Sequence, residues 1–203
     1  MSKIGLLVEC GREGLEVIMC RRIVKLLNEE HGSNLQLDPT PMVNKKRLIE
    51  ECGTATADLS QGCERVLILW DERPAWPTMG DLLCWHNDRE QIRAELKKAR
   101  VPAGKVHLVC IEREFESWLL YDERMLSCVL SKPTHPVKLA RQSNPDTMPN
   151  PKGAMTTLIQ KNGGGRYVDV QFARRFAECL TSLSRLRKCK TFKRFEQRTM
   201  GAI

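Results

Sequence analysis

Three stretches of the chain are apolar without alternation: Ile4-Gly5-Leu6-Leu7-Val8, Val66-Leu67-Ile68-Leu69-Trp70 and Val106-His107-Leu108-Val109-Cys110-Ile111. Continuous runs of this length predict strands buried on both faces, the environment of a parallel sheet covered by helices. Between the first two, Leu15, Ile18, Met19, Ile23, Leu26 and Leu27 recur at helical spacing and predict an amphipathic helix. A second helix is expected from near Lys45 through Leu48 and Ile49. A third is expected around Asn87 to Arg100, ending before Val101-Pro102. Residues 35–43 (LQLDPTPMV) hold another short strand pattern, interrupted by two prolines that cannot donate to a ladder. Strands alternating with helices give an α/β fold with right-handed crossovers and a central, mostly parallel sheet flanked by helices.

After Asp122 the pattern changes. Residues 131–152 (SKPTHPVKLARQSNPDTMPNPK) carry five prolines and no strong periodicity, and read as a loop or extended arm. Helical patterns resume at Gly153 to Gln160 and from Val170 through about Leu186, and Gly163-Gly164-Gly165 reads as a helix stop. The expected division is a core over residues 1–130, a proline-rich arm over 131–152 and a helical, basic C-terminal part over 153–203.

Composition narrows the class. The chain has 203 residues, 41% hydrophobic and 29% charged, as in a folded soluble domain. No apolar run approaches the roughly 20 residues that cross a bilayer, and the start, MSKIGLLVEC, lacks a signal-peptide core. A net charge of +8 favours a polyanionic partner. The nine cysteines include no C-x-x-C pair, and most read as small buried hydrophobes in a reducing compartment; cytoplasm is the expected location. No Walker-type loop, no Gly-x-Gly-x-x-Gly after a strand and no Gly-x-Ser-x-Gly elbow is present. His31, His86, His107 and His135 show no metal spacing, and His107 reads as a core histidine.

Each unbroken strand runs directly into acids. Glu9 follows the first, Asp71 and Glu72 the second, and Glu112, Glu114 and Glu116 the third. In a parallel sheet these positions share the carboxyl edge, where such folds keep their sites. Hard oxygen donors gathered there suit Mg²⁺ or Mn²⁺. The competing reading makes Glu13, Glu112 and Glu114 caps or first-turn acids of the next helices.

Leu6-Leu7-Val8-Glu9-Cys10-Gly11-Arg12-Glu13 resembles the opening motif of Toprim domains, in particular that of the overcoming-lysogenization-defect nucleases. Glu9 and Glu13 match its two acids, with Cys10 in place of Gly and Arg12 in place of Thr. Val66 to Arg73 resembles the second motif, a strand followed by Asp-x-Asp. Asp71 matches the first Asp but Arg73 stands at the second, so two-metal chemistry would need Glu72 or Asp81 instead. Arg113-Glu114-Phe115-Glu116-Ser117-Trp118-Leu119-Leu120-Tyr121-Asp122 resembles the Glu-x-Trp-Leu-Leu-x-Asp signature of the domain-of-unknown-function 4276 family. Pro151-Lys152 and Thr191-Phe192-Lys193-Arg194-Phe195 resemble its C-terminal half.

The resemblance implies a Toprim/Rossmann-like fold and a metal-dependent nuclease, paired with an ATPase in bacterial defence. It implies catalytic Glu9, Glu13 and Asp71 and metal ligands among Glu9, Asp71, Glu72 and Glu116. The alternative is a binding or sensor subunit whose catalysis has decayed, which Arg73 favours. Trp118 and Leu119 read as core residues.

Phe172 to Arg198 holds nine Lys or Arg against two Glu. Arg174, Arg175, Arg185, Arg187, Lys188, Lys190, Lys193 and Arg194 are the expected phosphate contacts, with Phe192 and Phe195 as stacking surface. The other reading is a solvated helix face over two core phenylalanines. The arm, with Val137, Leu139 and Met148, is the expected docking element for a larger partner.

Overall fold

All three unbroken apolar runs are strands. The computed structural model describes residues 2–72 and 85–201, without the side chains of Trp85 and His86; Arg73 and Asp81 therefore lie outside the described residues. Four strands, β1 (Ser2–Val8), β2 (Leu35–Pro41), β3 (Arg65–Asp71) and β4 (Val106–Ile111), form one parallel sheet in the order β2-β1-β3-β4. The fold is α/β and Rossmann-like. The chain steps from β1 outward to β2, then returns past β1 to β3 and β4. The topological switch point, where such sheets bind ligands, therefore lies between β1 and β3.

Helices cover both faces. On one, Ile4, Leu6 and Val8 of β1 and Leu67 and Leu69 of β3 pack with Leu15, Met19 and Ile23 of α1 (Leu15–His31). On the other, Leu7, Val66, Ile68 and Trp70 pack with Leu48 and Cys52 of α2 (Lys45–Gly62) and Ile92 of α3 (Trp85–Lys98). Successive strand residues thus enter different cores, which is why the pattern is continuous rather than alternating. β2 tolerates Pro39 and Pro41 because it pairs on one side only, with β1.

The remaining helices are α4 (Glu116–Leu119), α5 (Glu123–Leu130), α6 (Pro151–Lys161), α7 (Asp169–Cys179) and α8 (Lys190–Met200). They extend the α1 core through Trp118, Phe176, Phe192 and Phe195. Trp118 donates its indole N–H to Thr191 Oγ1 at 2.8 Å and meets Phe192 edge-on at 5.3 Å. Asp122 caps α5, accepting from the amides of Arg124 and Met125.

Four sequence expectations change. The helix expected through Leu186 ends at Cys179: Leu180 is extended, and its carbonyl accepts from Arg22 Nε at 2.9 Å instead of a later amide. Phe192 and Phe195 are fully buried, so they are core residues and offer no stacking surface. The arm is not held away from the body: Val137, Leu139 and Met148 pack against the core, and Asp146 accepts from the Tyr121 hydroxyl at 3.0 Å. All three side chains are only partly buried there. Finally, α5 and α7 lie side by side and a disulfide joins Cys128 to Cys179, while Cys20, Cys52, Cys63 and Cys189 are buried thiols as expected.

One glycine sets a helix–helix distance. A Cβ on Gly53 in α2 would lie 2.4 Å from the Glu95 carbonyl oxygen of α3. Alanine favours a helix over glycine by about 1 kcal/mol, but overpacking of this kind costs about 1–3 kcal/mol. Gly53→Ala is therefore expected to lower the urea midpoint despite its better helix propensity; an unchanged or raised midpoint would show that α2 and α3 separate freely.

Candidate functional site

The carboxyl ends of β1 and β3 place Glu9 and Asp71 at the switch point. Glu9 Oε1 accepts the Asp71 backbone N–H at 2.9 Å, tying the two strand ends together. Its other oxygen, Oε2, is buried and has no hydrogen-bond partner among the described residues, an unusual state for a carboxylate. Glu116 follows at the start of α4 and is 4% exposed. The Tyr167 hydroxyl donates to its Oε1 at 3.0 Å, and Lys152 Nζ stands 3.9 Å from the same oxygen.

Burial raises the proton affinity of these acids. Burial pushes Glu9 up to about 7, opposed by Lys45 and by the Asp71 amide and reinforced by Glu16 and Asp88. Burial, then Glu9, Glu16, Glu116 and Glu114, push Asp71 well above the usual carboxylate range. Glu116 is likewise raised to about 7 by burial, with Lys152 opposing. Acids so placed hold protons at neutral pH unless a cation relieves them.

Two lysines face the cluster. Lys45, in the first turn of α2, reaches Asp88 at 3.2 Å and the Glu72 carbonyl at 3.3 Å. Lys152, in the first turn of α6, bonds Asp169 at 2.9 Å, while its backbone N–H donates to Glu114 Oε2 at 2.9 Å. Two loops at this edge carry non-glycine residues with left-handed backbone, Val43 (φ 71°) and Arg113 (φ 73°). Such strain concentrates where a site dictates the backbone.

Other candidates lie elsewhere. Glu13 precedes the helix, because α1 begins at Leu15 after the Gly14 cap; it is exposed and pairs with Arg174 at 3.1 Å. Glu16 takes the first-turn place instead, its carboxyl raised by burial. The Glu72 side chain accepts the Arg113 amide at 3.3 Å and lines a separate groove. Neither Glu112 nor Glu114 caps the next helix, since α4 starts without a side-chain cap. Among the described residues, no three of Glu9, Asp71, Glu72 and Glu116 bring ligand atoms within 4.8 Å of one another. Glu30, His31 and Glu196 do so, but Arg187 already bridges Glu30 and Glu196.

The chain matches the family described as Domain of unknown function (DUF4276) over residues 18–199. It belongs to the DUF4276 family. No match was found among curated proteins or among solved structures. In this DUF4276 chain the match includes Asp71, Glu116 and Lys152, whereas Glu9 and Glu16 precede it. The Glu-x-Trp-Leu-Leu-x-Asp stretch thus combines three jobs: Glu116 enters the acidic cluster, Trp118 anchors α8 and Asp122 caps α5.

Sequence reading missed Glu16, Lys45 and Lys152 as site residues, although Pro151-Lys152 stood out as a motif. Lys152 comes from a segment far from any strand end, and Lys45, four residues after β2, carries no acid or motif to mark it, so only the packing of α2 and α6 reveals them.

The raised carboxyls fix a pH dependence. The folded chain keeps protons on Glu9 and Glu116 up to about pH 7, whereas the unfolded chain releases them near the ordinary 4.5. Folding therefore loses stability as pH rises through that window. In chelator, Tm is expected to fall between about pH 5 and about pH 8, and Glu9→Gln with Glu116→Gln should flatten the fall. A pH-independent Tm in wild-type protein would refute the raised carboxyls.

Proposed function

We propose that this carboxyl edge is a divalent-cation site for phosphodiester cleavage of nucleic acid, in a Toprim-like arrangement. The observation that carries the reading is the unpartnered, buried Glu9 Oε2 beside Asp71 at the switch point. Hard carboxylate oxygens fit Mg²⁺ or Mn²⁺, and Mg²⁺ is commonly held by only one or two carboxylates, keeping its waters and substrate phosphate as the other ligands. Glu9 and Asp71 would hold the ion, which when bound supplies charge neutralisation at the phosphate and a more acidic water. Glu116, with a proton affinity near neutrality, is suited to accept a proton there. Tyr167 and Lys152 fix its orientation, and Lys152 adds positive charge for the phosphate.

A second reading, a non-catalytic binding or sensor subunit, is favoured by the lack of a third converging ligand among the described residues and by Lys45, a built-in counter-charge for Glu9. The family resemblance adds an ATPase partner and a role in bacterial defence to either reading.

Incubation of single-stranded and duplex DNA and RNA with the purified chain and Mn²⁺ or Mg²⁺ separates them. Under the nuclease reading, cleavage is abolished by chelator, and Glu9→Gln and Asp71→Asn each slow it at least a hundredfold without unfolding the chain. Absence of any metal-dependent cleavage, or cleavage surviving both substitutions, would leave the binding subunit.

A further inference from the structure

The sequence directs attention to the C-terminal cations, but tertiary structure commits most of those arginines internally. Arg174 pairs with Glu13, Arg185 with Glu123, and Arg187 with Glu30 and Glu196; Arg175 donates to the Ser131 carbonyl. Lys188, Lys190, Lys193 and Arg194 stay exposed. A different concentration of positive charge has formed elsewhere.

Among the described residues β4 is an edge strand, with β3 on one side and nothing paired on the other. Along that free edge runs a groove of about 1130 Å³, walled by α3 and α8 and floored by Val106, His107, Leu108 and Cys110. Arg89, Arg93 and Lys97 line it from α3, at successive steps of four residues. Arg194 and Arg198 line it from α8 with the same step. Residues four apart share one helix face and advance about 6 Å along it, so each wall presents a row of cations. Arg93, Lys97, Arg194 and Arg198 form no ion pair with any described residue, in contrast to the arginines above. His107 is half-buried rather than core, and its proton affinity is lowered by burial and then by Arg198 and Arg65. At its upper end the groove meets Glu72, Glu112 and Arg113, next to the acidic edge.

We infer that this groove is the track on which a single nucleic-acid strand lies along β4 on its way to the carboxylate edge. The inference rests on the nuclease reading for the chemistry at its upper end, but not for binding itself. Two cationic rows with a repeating step suit a repeating anion, and a stretched strand repeats its phosphates over a comparable length. The backbone groups on the free side of β4, unpaired with any described strand, offer hydrogen bonds to sugar and base edges between the rows. Positive charge along an open edge also keeps β4 from pairing with another copy, so the test must separate binding from edge protection.

Fluorescence anisotropy of labelled oligo-dT and oligo-rU of about 12 nucleotides, measured in chelator, isolates binding from cleavage. Combined Arg93→Ala, Lys97→Ala and Arg198→Ala should weaken binding at least tenfold and reduce the salt slope by about 2, at roughly 0.7 per lost single-strand phosphate contact. An equal charge loss at Arg21, Lys25 and Lys46, exposed cations of α1 and α2, should cost less than twofold. Circular dichroism shows whether each variant is folded; if the groove triple unfolds, Lys97→Ala alone should still weaken binding measurably. The inference falls if wild type does not bind, if the groove variants bind like wild type, or if Lys188→Ala with Lys190→Ala and Lys193→Ala is the set that loses binding. It also falls if poly-glutamate or duplex DNA competes as well as the single strand. Groove-dependent binding without cleavage in Mn²⁺ would support the track and overturn the nuclease reading. Cleavage without groove-dependent binding would do the reverse.

Discussion

Carboxylates buried beside one another must keep a proton or find a cation, and the carboxyl edge of this sheet gathers four that interact: Glu9, Glu16, Asp71 and Glu116. Much of the molecule is arranged around that requirement. The first turn of α2 delivers Lys45, the first turn of α6 delivers Lys152, and the segment before α7 delivers Tyr167. These groups offset the crowding only partly, since Glu9 and Glu116 still sit near 7. Carboxylates perturbed in this way at a switch point mark it as the candidate functional site of the fold.

The C-terminal helices have a structural explanation of their own. The sheet is narrow and its α1 face is too wide for one helix to cover. α7 and α8 complete that face, and Trp118 with Thr191, Phe192 and Phe195 locks α8 to the turn after β4. The same turn carries Glu116, so packing of the basic C-terminal part also positions an acid of the site. Core and C-terminal part depend on each other: aromatic residues of the C-terminal part lie in the core, and its arginines are partly consumed by pairing with Glu13, Glu30, Glu123 and Glu196.

How much was legible in advance follows from the range of each interaction. Strands β1, β3 and β4, and helices α1 and α2, were readable because burial on two faces or on one stripe leaves a local pattern. Even the acids after the strands were readable, because parallel topology alone assigns them to one edge. Glu13 was mistaken for a first-turn acid because a shift of two residues in a helix start, set here by the tight turn in which a Cβ on Gly14 would lie 2.5 Å from Cys10 Sγ, exchanges it with Glu16.

The sequence by itself determined the α/β class, the strand ends that carry Glu9 and Asp71, and an excess of positive charge, since each is a property of neighbouring residues or of simple sums. Tertiary structure alone decided which charges are available. Whether an arginine is bound to an acid, whether Phe192 faces solvent and whether two rows of cations flank an open strand edge depend on elements brought together across more than a hundred residues. No local pattern encodes those encounters, because long-range packing is satisfied by shape and burial, which many sequences supply equally well.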